Sequence, residues 1–226
     1  MEVCHDGFKY EIIGDDAVLK GFDEDNLPNL DKRQSIPSTV NGKTVMGVAR
    51  RAFYRSGLRF ITLPETIAHI GEYAFAGSKL EEISFLNVFG AAPTKVLKLG
   101  ENAFENCIAL KLFNTNRALT VAYKTFLGCG QLNSNNNFLR IAVLQADSFI
   151  NCFNMKSIAI DDKGLLKQNC FRGSCIKEIT VMDDVRFEDG VINELIDYDV
   201  LVKVMMDSPV ISLAYLGVKV VEEYPF

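Results

Sequence analysis

The chain has 226 residues, 48% of them hydrophobic, and a formal net charge of −5. This apolar content suffices for a packed core, whereas the acidic balance and scattered Lys and Arg residues argue against nucleic-acid binding. The most apolar stretch, from Val210 to Val221, contains Lys219 and is shorter than the roughly 18 apolar residues that span a bilayer. We therefore expect a globular protein without nucleic-acid binding or membrane insertion.

Two β-strands are predicted over residues 8–22, joined at Gly14-Asp15-Asp16. A Gly/Asp pair between apolar runs is typical of a hairpin turn. The acidic linker that follows contains Pro28 and is predicted to be a surface loop. We assign residues 1–35 as an N-terminal hairpin cap and linker, because a repeat fold needs its open end covered.

A phenylalanine recurs at nearly constant spacing after this cap. The intervals are 22, 29, 22, 23 and 22 residues, and a small residue (Ala, Thr, Ser or Cys) precedes each phenylalanine. A fixed period of this length is typical of a solenoid made of stacked coils. We call these positions the repeat phenylalanines: Phe53, Phe75, Phe104, Phe126, Phe149 and Phe171.

Other apolar positions keep the same register. An aliphatic residue stands five positions before each repeat phenylalanine. Pairs of apolar residues separated by one position, such as Ile61 and Leu63, come after the phenylalanine. The alternation predicts a short strand with one buried face, and the small residue before the ring predicts a tight corner. Because one coil cannot bury its own apolar side, we expect residues 36–182 to stack as repeats.

The long second interval contains about seven extra residues, which fall within 86–95. Inserted loops often carry function, so Phe89 is predicted to be an exposed contact residue if this loop protrudes. The alternative is that Phe89 folds back on the coil.

The repeat phenylalanine is missing from residues 183–226. Val191 to Asp197 are predicted to form a short helix, and Asp199 to Met205, Val210 to Leu216 and Val218 to Val221 favour strands. This segment is predicted to be a C-terminal cap, with a degenerate seventh and eighth coil as the alternative.

Several runs in the first coils carry a family resemblance. They are Ile36-Pro-Ser-Thr-Val-Asn-Gly-Lys-Thr-Val45, Arg51-Ala-Phe53, Ile61-Thr-Leu-Pro64 and Ile70-Gly-Glu-Tyr-Ala-Phe75, and they resemble the BspA-like (Treponema-type) leucine-rich repeats. Together with the spacing, the resemblance predicts a β-rich leucine-rich-repeat solenoid. We expect a right-handed coil of short strands with about six repeats of 22–23 residues, an N-terminal hairpin cap and a C-terminal cap.

The same resemblance implies a function. It implies a non-enzymatic protein-interaction module for adhesion or recognition at a bacterial surface, with a host or matrix protein as ligand and a cell-surface or secreted location. The residues from Met1 to Asp6 are polar and acidic and do not look like a secretory signal. A cytoplasmic structural scaffold without an external ligand is therefore the alternative.

The first-half strands supply the predicted binding surface. Residues on either side of a buried strand residue point outward, which places Phe60, Thr62, Glu82 and Leu112 on one outer face. With Phe89 they are the predicted protein-binding residues. An ordinary solvated sheet face is the alternative.

Three cysteines, Cys107, Cys129 and Cys152, each lie three residues after a repeat phenylalanine. They are predicted to form a column of reduced core thiols, since free cysteine is among the most buried residue types. Disulfides are the alternative, because equivalent residues of stacked strands lie only about 4.8 Å apart.

Residues for catalysis or metal binding do not assemble in the sequence. His69 is the only histidine inside the repeats and is predicted to face solvent, which leaves the cysteines without a base. Adjacent carboxylates such as Glu81 and Glu82 point to opposite faces of a strand and cannot flank one substrate. We expect no catalytic residues, no cofactor and no metal; a cation between Asp161-Asp162 and Asp183-Asp184 is the alternative.

Overall fold

The computed structural model describes residues 1–86, 96–133, 139–182, 184–205, 213–214 and 216–223. The chain is a β-solenoid of about seven coils, and the regular elements of the described residues are short strands and one short helix. The predicted fold class is therefore confirmed. The elements in chain order are β1 Glu2–His5, β2 Phe8–Ile13, β3 Asp16–Phe22, β4 Gln34–Ser35, β5 Thr39–Val40, β6 Lys43–Val48, β7 Phe60–Pro64, β8 His69–Ile70, β9 Glu82–Leu86, β10 Val96–Leu99, β11 Leu112–Asn114, β12 Ala118–Val121, β13 Arg140–Leu144, β14 Ser157–Leu166, β15 Glu178–Val181, β16 Arg186–Phe187, α1 Val191–Asp197, β17 Leu201–Met205 and β18 Lys219–Glu223.

The strands of successive coils pair in parallel. β6, β8, β10, β12 and β13 follow one another in one sheet, and β4, β7, β9 and β11 form a second, four-stranded sheet. The register joins residues one repeat apart, as in the pairs Val48 with Ile70 and Leu99 with Val121. Each coil thus presents its apolar positions to the same positions of the next coil.

The N-terminal hairpin has the predicted form. β2 and β3 pair antiparallel up to Ile13 and Asp16, and β3 continues in parallel with β6 of the first coil. The rings of Phe8 and Phe22 lie edge-on to Phe53, with centroids 6.2 and 5.0 Å away. The hairpin therefore covers one end of the core; β1, which pairs with β2, was not predicted.

The repeat phenylalanines occupy the centre of the solenoid, and none is more than 1% exposed. Neighbouring rings from Phe53 to Phe149 are stacked, with centroids 5.2, 5.2, 5.4 and 5.3 Å apart. Phe113 places its ring edge-on against both Phe104 and Phe126. Offset aromatic contacts of this kind add to the free energy gained by burying the rings.

Each corner contains two residues in the left-handed region, two positions before and two after the repeat phenylalanine. In the first four coils these residues and the ring residue donate their N–H groups to carbonyls of the next coil. In the second coil Tyr73, Phe75 and Gly77 donate to the carbonyls of Glu101, Ala103 and Glu105 at 3.1, 2.8 and 2.7 Å. The left-handed residues are Arg51, Tyr73, Asn102, Lys124, Asp147 and Asn169 before the ring, and Arg55, Gly77, Asn106, Gly128, Asn151 and Gly173 after it.

The predicted C-terminal helix is present as α1, and β17 and β18 continue the parallel pairing that begins with β15. The carboxylate of Glu194 in α1 accepts the N–H groups of Asn169 and Phe171, the latter at 3.2 Å. These are corner N–H groups of the kind that earlier coils donate to the following coil. Most of the predicted strand from Val210 to Leu216 lies outside the described residues.

Candidate functional site

Three of the predicted binding residues form one row across the four-stranded sheet. Phe60 pairs in register with Glu82, and Glu82 pairs with Leu112. Adjacent strands are about 4.8 Å apart, so the three side chains are neighbours on the outer face. All three side chains are partly buried. Their strand pairing places them side by side, as the repeat register indicated.

Phe60 lies between two arginines. The guanidinium carbon of Arg59 is 5.0 Å from the centre of the Phe60 ring, and that of Arg33 is 5.6 Å away. Both distances are typical of cation–π contacts. The aromatic ring is thereby held in a fixed orientation while part of its surface faces solvent.

Ion pairs surround this ring. Arg33 binds Glu82 at 2.6 Å, and Arg59 binds Glu81 at 2.6 Å and Asp31 at 3.5 Å. The hydrogen bond and charge of Glu81 raise the pKa of Arg59. Surface ion pairs contribute little to stability, so their main effect is to orient the long side chains beside Phe60.

Thr62 was also predicted to be a binding residue, but it is not part of this row. Thr62 belongs to the outer face but is only 5% exposed, and its hydroxyl lies 3.0 Å from that of Ser84 on the neighbouring strand. Arg33 reaches the same Ser84 hydroxyl at 3.5 Å, so a side chain from the preceding segment extends over this part of the face. The prediction of Thr62 as a contact residue is wrong, and Phe89 lies outside the described residues.

The cysteine column is buried and its thiols are free. Each thiol donates to the carbonyl of the repeat phenylalanine one coil earlier: Cys107 to Phe75 at 3.0 Å, Cys129 to Phe104 at 3.0 Å and Cys152 to Phe126 at 2.9 Å. Burial raises the pKa of Cys107 and Cys152 to about 12. Neutral, hydrogen-bonded thiols are poor nucleophiles, so this column has a structural role.

The other polar candidates are separated from one another. His69 is exposed, and its ring lies over Gly47 of the neighbouring strand, where a Cβ atom would come within 2.2 Å of the imidazole. Asp161 binds Arg140 at 2.5 Å, and Asp183 lies outside the described residues. Within the described ranges, His, Cys, Asp and Glu nowhere gather in groups of three that could hold a metal ion.

A second cluster, which was not predicted from the sequence, lies at the corners of the first two coils. The Arg51 guanidinium carbon is 5.6 Å from the ring centres of both Tyr54 and Tyr73, and that of Arg55 is 5.1 Å from Tyr54. The two tyrosine rings are edge-on at 6.4 Å. We call these four residues the tyrosine–arginine corner.

The fold and its stacked coils define a leucine-rich-repeat solenoid, a class of repeat that extends surfaces for binding. The family described as "BspA type Leucine rich repeat region" matches residues 91–191 in six copies. The part of the chain within residues 91–191 therefore matches the BspA-type leucine-rich repeats that the resemblance indicated.

Two solved structures share the fold. A leucine-rich cell surface protein from Faecalibacterium prausnitzii A2-165 has 18% identity and a TM-score of 0.65, with 92% of this chain and 55% of that chain covered. The Treponema pallidum leucine-rich-repeat protein has 19% identity and a TM-score of 0.53, with 98% of each chain covered. This chain thus spans about half the length of the first protein. No curated protein matches it in sequence.

Among the described residues, no helix combines the length and the apolar character that a membrane crossing requires.

Proposed function

We propose that this chain is a non-enzymatic adhesion or recognition module that binds a host or matrix protein at a bacterial cell surface. The BspA-type repeats and the cell-surface description of one structural relative support this proposal. The row of Phe60, Glu82 and Leu112 is the contact surface. The observation that carries this assignment is the partly exposed Phe60 ring held between Arg33 and Arg59.

An aromatic ring flanked by arginines suits a protein contact for two reasons. Its orientation is fixed before binding, so little side-chain entropy remains to be lost. Aromatic and arginine residues also dominate the binding energy of protein interfaces. The polar and charged side chains around the row would form the solvated rim of such an interface.

A binding experiment tests this surface. Purified protein is assayed by surface plasmon resonance against a panel of immobilised extracellular-matrix proteins, with Phe60→Ala and Leu112→Ala as test variants. We expect each substitution to weaken binding by at least about tenfold, as for a central aromatic or aliphatic contact. Phe153→Ala is the control, because Phe153 is 59% exposed and lies outside this row.

Two results would contradict the proposal. Absence of binding to every matrix protein would remove the proposed partner class. Equal loss of binding in Phe153→Ala and Phe60→Ala would show that any exposed phenylalanine matters and that the row has no special part. Surface labelling of intact cells of the native organism would test the location, and exclusive recovery of unlabelled protein would contradict it.

A further inference from the structure

The left-handed corner positions carry different residues in different coils. From the third coil onward they hold Asn, Gly, Asp or Lys, and the third coil has Asn102 and Asn106 on both sides of its ring. The first coil instead has Arg51 and Arg55, with φ angles of 57° and 54°, and the second has Tyr73 at 54°. Glycine and asparagine tolerate this conformation better than other residues. Lys124 of the fourth coil departs from this preference at a single position. The first two coils depart from it at three positions, Arg51, Arg55 and Tyr73.

These departures coincide with the tyrosine–arginine corner. Arg51, Arg55 and Tyr73 are three of its four members, and Tyr54, the fourth, is 41% exposed. Backbone strain and violations of local preference concentrate at functional sites, where another requirement selects the side chain. The corner therefore holds these side chains for something other than the stability of the coil.

The two arginines give the corner a positive charge. Arg51 and Arg55 form no salt bridge within the described part of the chain, whereas their neighbours Arg50 and Arg59 bind Glu72 and Glu81. Residues 32–64 also contain seven Lys or Arg residues and no Asp or Glu, although the whole chain has a net charge of −5. Arg33, Lys43, Arg50 and Arg59 of this range bind acidic residues of other segments, so Arg51 and Arg55 differ from them in forming no such pair among the described residues.

A groove that could receive a side chain of a partner lies beside Arg55. It has a volume of about 100 Å³ and lies between Tyr54 and Arg55 on one side and Glu105 and Asn106 on the other, over Ala76 and Gly77. This volume accommodates a single side chain. The carboxylate of Glu105, bound by the side-chain amide of Asn102 at 3.0 Å, makes the opposite end negative, so an incoming carboxylate would be directed to the arginine end.

We propose that the tyrosine–arginine corner is a docking site for an acidic segment of a partner protein. Guanidinium groups bind carboxylates with two parallel hydrogen bonds, and the tyrosine rings cover the aliphatic part of an Asp or Glu side chain. The site is separate from the Phe60 row. It adds one chemical property of the partner, an acidic segment, to the proposed interaction module. It rests on the proposed function in one respect, namely that the partner is a protein.

The test uses a capped hexaglutamate peptide as the acidic segment and hexaglutamine as its neutral control. Binding is measured by isothermal titration calorimetry for the full chain and for the R51N/R55N double variant. Asparagine is chosen because the third coil carries it at both equivalent positions. We expect at least about tenfold weaker hexaglutamate binding, typical of losing central arginines, together with a melting temperature that is no lower than that of the parent.

A K98N/R186N variant removes the same charge from two exposed positions elsewhere and is expected to bind within about twofold of the parent. Equal loss in this control, or unchanged affinity in R51N/R55N, would overturn the proposal. So would tighter binding of a heparin hexasaccharide or of a six-nucleotide thymidine strand than of hexaglutamate. The probe is a peptide and Phe60 is left intact, so this experiment tests the corner independently of the matrix-protein assay. Hexaglutamate can bind when no matrix protein does, and a matrix protein can bind when hexaglutamate does not.

Discussion

At the residue scale, the position three residues after the repeat phenylalanine shows how the coil fills a small buried space. It holds Ser56, Ser78 and Ser174 in three coils and the cysteine column in the other three. The three cysteines each donate to a carbonyl of the preceding coil, whereas the Ser78 hydroxyl lies 3.5 Å from the Cys107 thiol. The sequence spacing predicted the stacking and burial of the cysteines. It could not predict their hydrogen bonds, which depend on the direction of carbonyl groups in another coil.

The buried thiols predict a loss of stability at high pH. The pKa of Cys107 and Cys152 is raised to about 12 in the folded chain, whereas an unfolded cysteine titrates at about 8.5. Between these values the unfolded chain releases thiol protons that the folded chain retains. The free energy of unfolding therefore falls as pH rises above about 9, by up to about 1.4 kcal/mol per pH unit for each thiol.

Urea unfolding with a reductant present at pH 7, 9 and 10 measures this effect. A Cys107→Ser/Cys152→Ser variant keeps a hydroxyl donor at both positions and lacks the two titrations, so we expect its stability to fall less steeply above pH 9. Parallel pH profiles for the parent and the variant would show that these thiols are already ionisable in the folded chain.

At the scale of elements, α1 ends the corner hydrogen bonding in place of another coil. Glu194 accepts the N–H groups of Asn169 and Phe171, as backbone carbonyls do in earlier coils. Because Glu194→Ala removes this acceptor, we expect the variant to lose about 1–2 kcal/mol of stability. Amide exchange at Phe171 should accelerate as well.

Asn193→Ala is the matched control on the same helix, since Asn193 is exposed and surface substitutions change stability by about 0.5 kcal/mol or less. If Glu194→Ala were no more destabilising than this control, and Phe171 exchanged at the parent rate, Glu194 would have no capping role.

The elements themselves differ in how far the sequence predicts them. The hairpin, the helix and the strand columns follow from turn residues and apolar spacing, which act locally. Thr62 is buried, and Ser84 of the neighbouring strand contacts both the Thr62 hydroxyl and Arg33. No local pattern encodes these contacts. A signal for the tyrosine–arginine corner was present, because Gly or Asn recurs two residues after the ring in every coil but the first.

At the scale of the whole molecule, one structural principle connects fold and proposed function. The aromatic stack and the corner hydrogen bonds are repeated in successive coils, which leaves the outward residues free to vary. Arg117 is a buried charged residue that does not belong to the repeat pattern. It donates to the carbonyls of Glu65 and Ile67 at 3.1 and 2.7 Å, and its guanidinium carbon lies 4.9 Å from the centre of the Phe85 ring. The division of the chain at residues 35 and 182 into caps and repeats stays a prediction.

The continuous aromatic stack is the central claim, and nuclear Overhauser effects between phenylalanine rings test it most directly. In a sample with only phenylalanine rings protonated, we predict contacts between Phe75 and Phe104, Phe104 and Phe126, and Phe126 and Phe149, whose centroids are 5.2, 5.4 and 5.3 Å apart. Contacts confined to phenylalanines close in sequence, with none across a full repeat, would contradict the stacked solenoid and the surfaces derived from it.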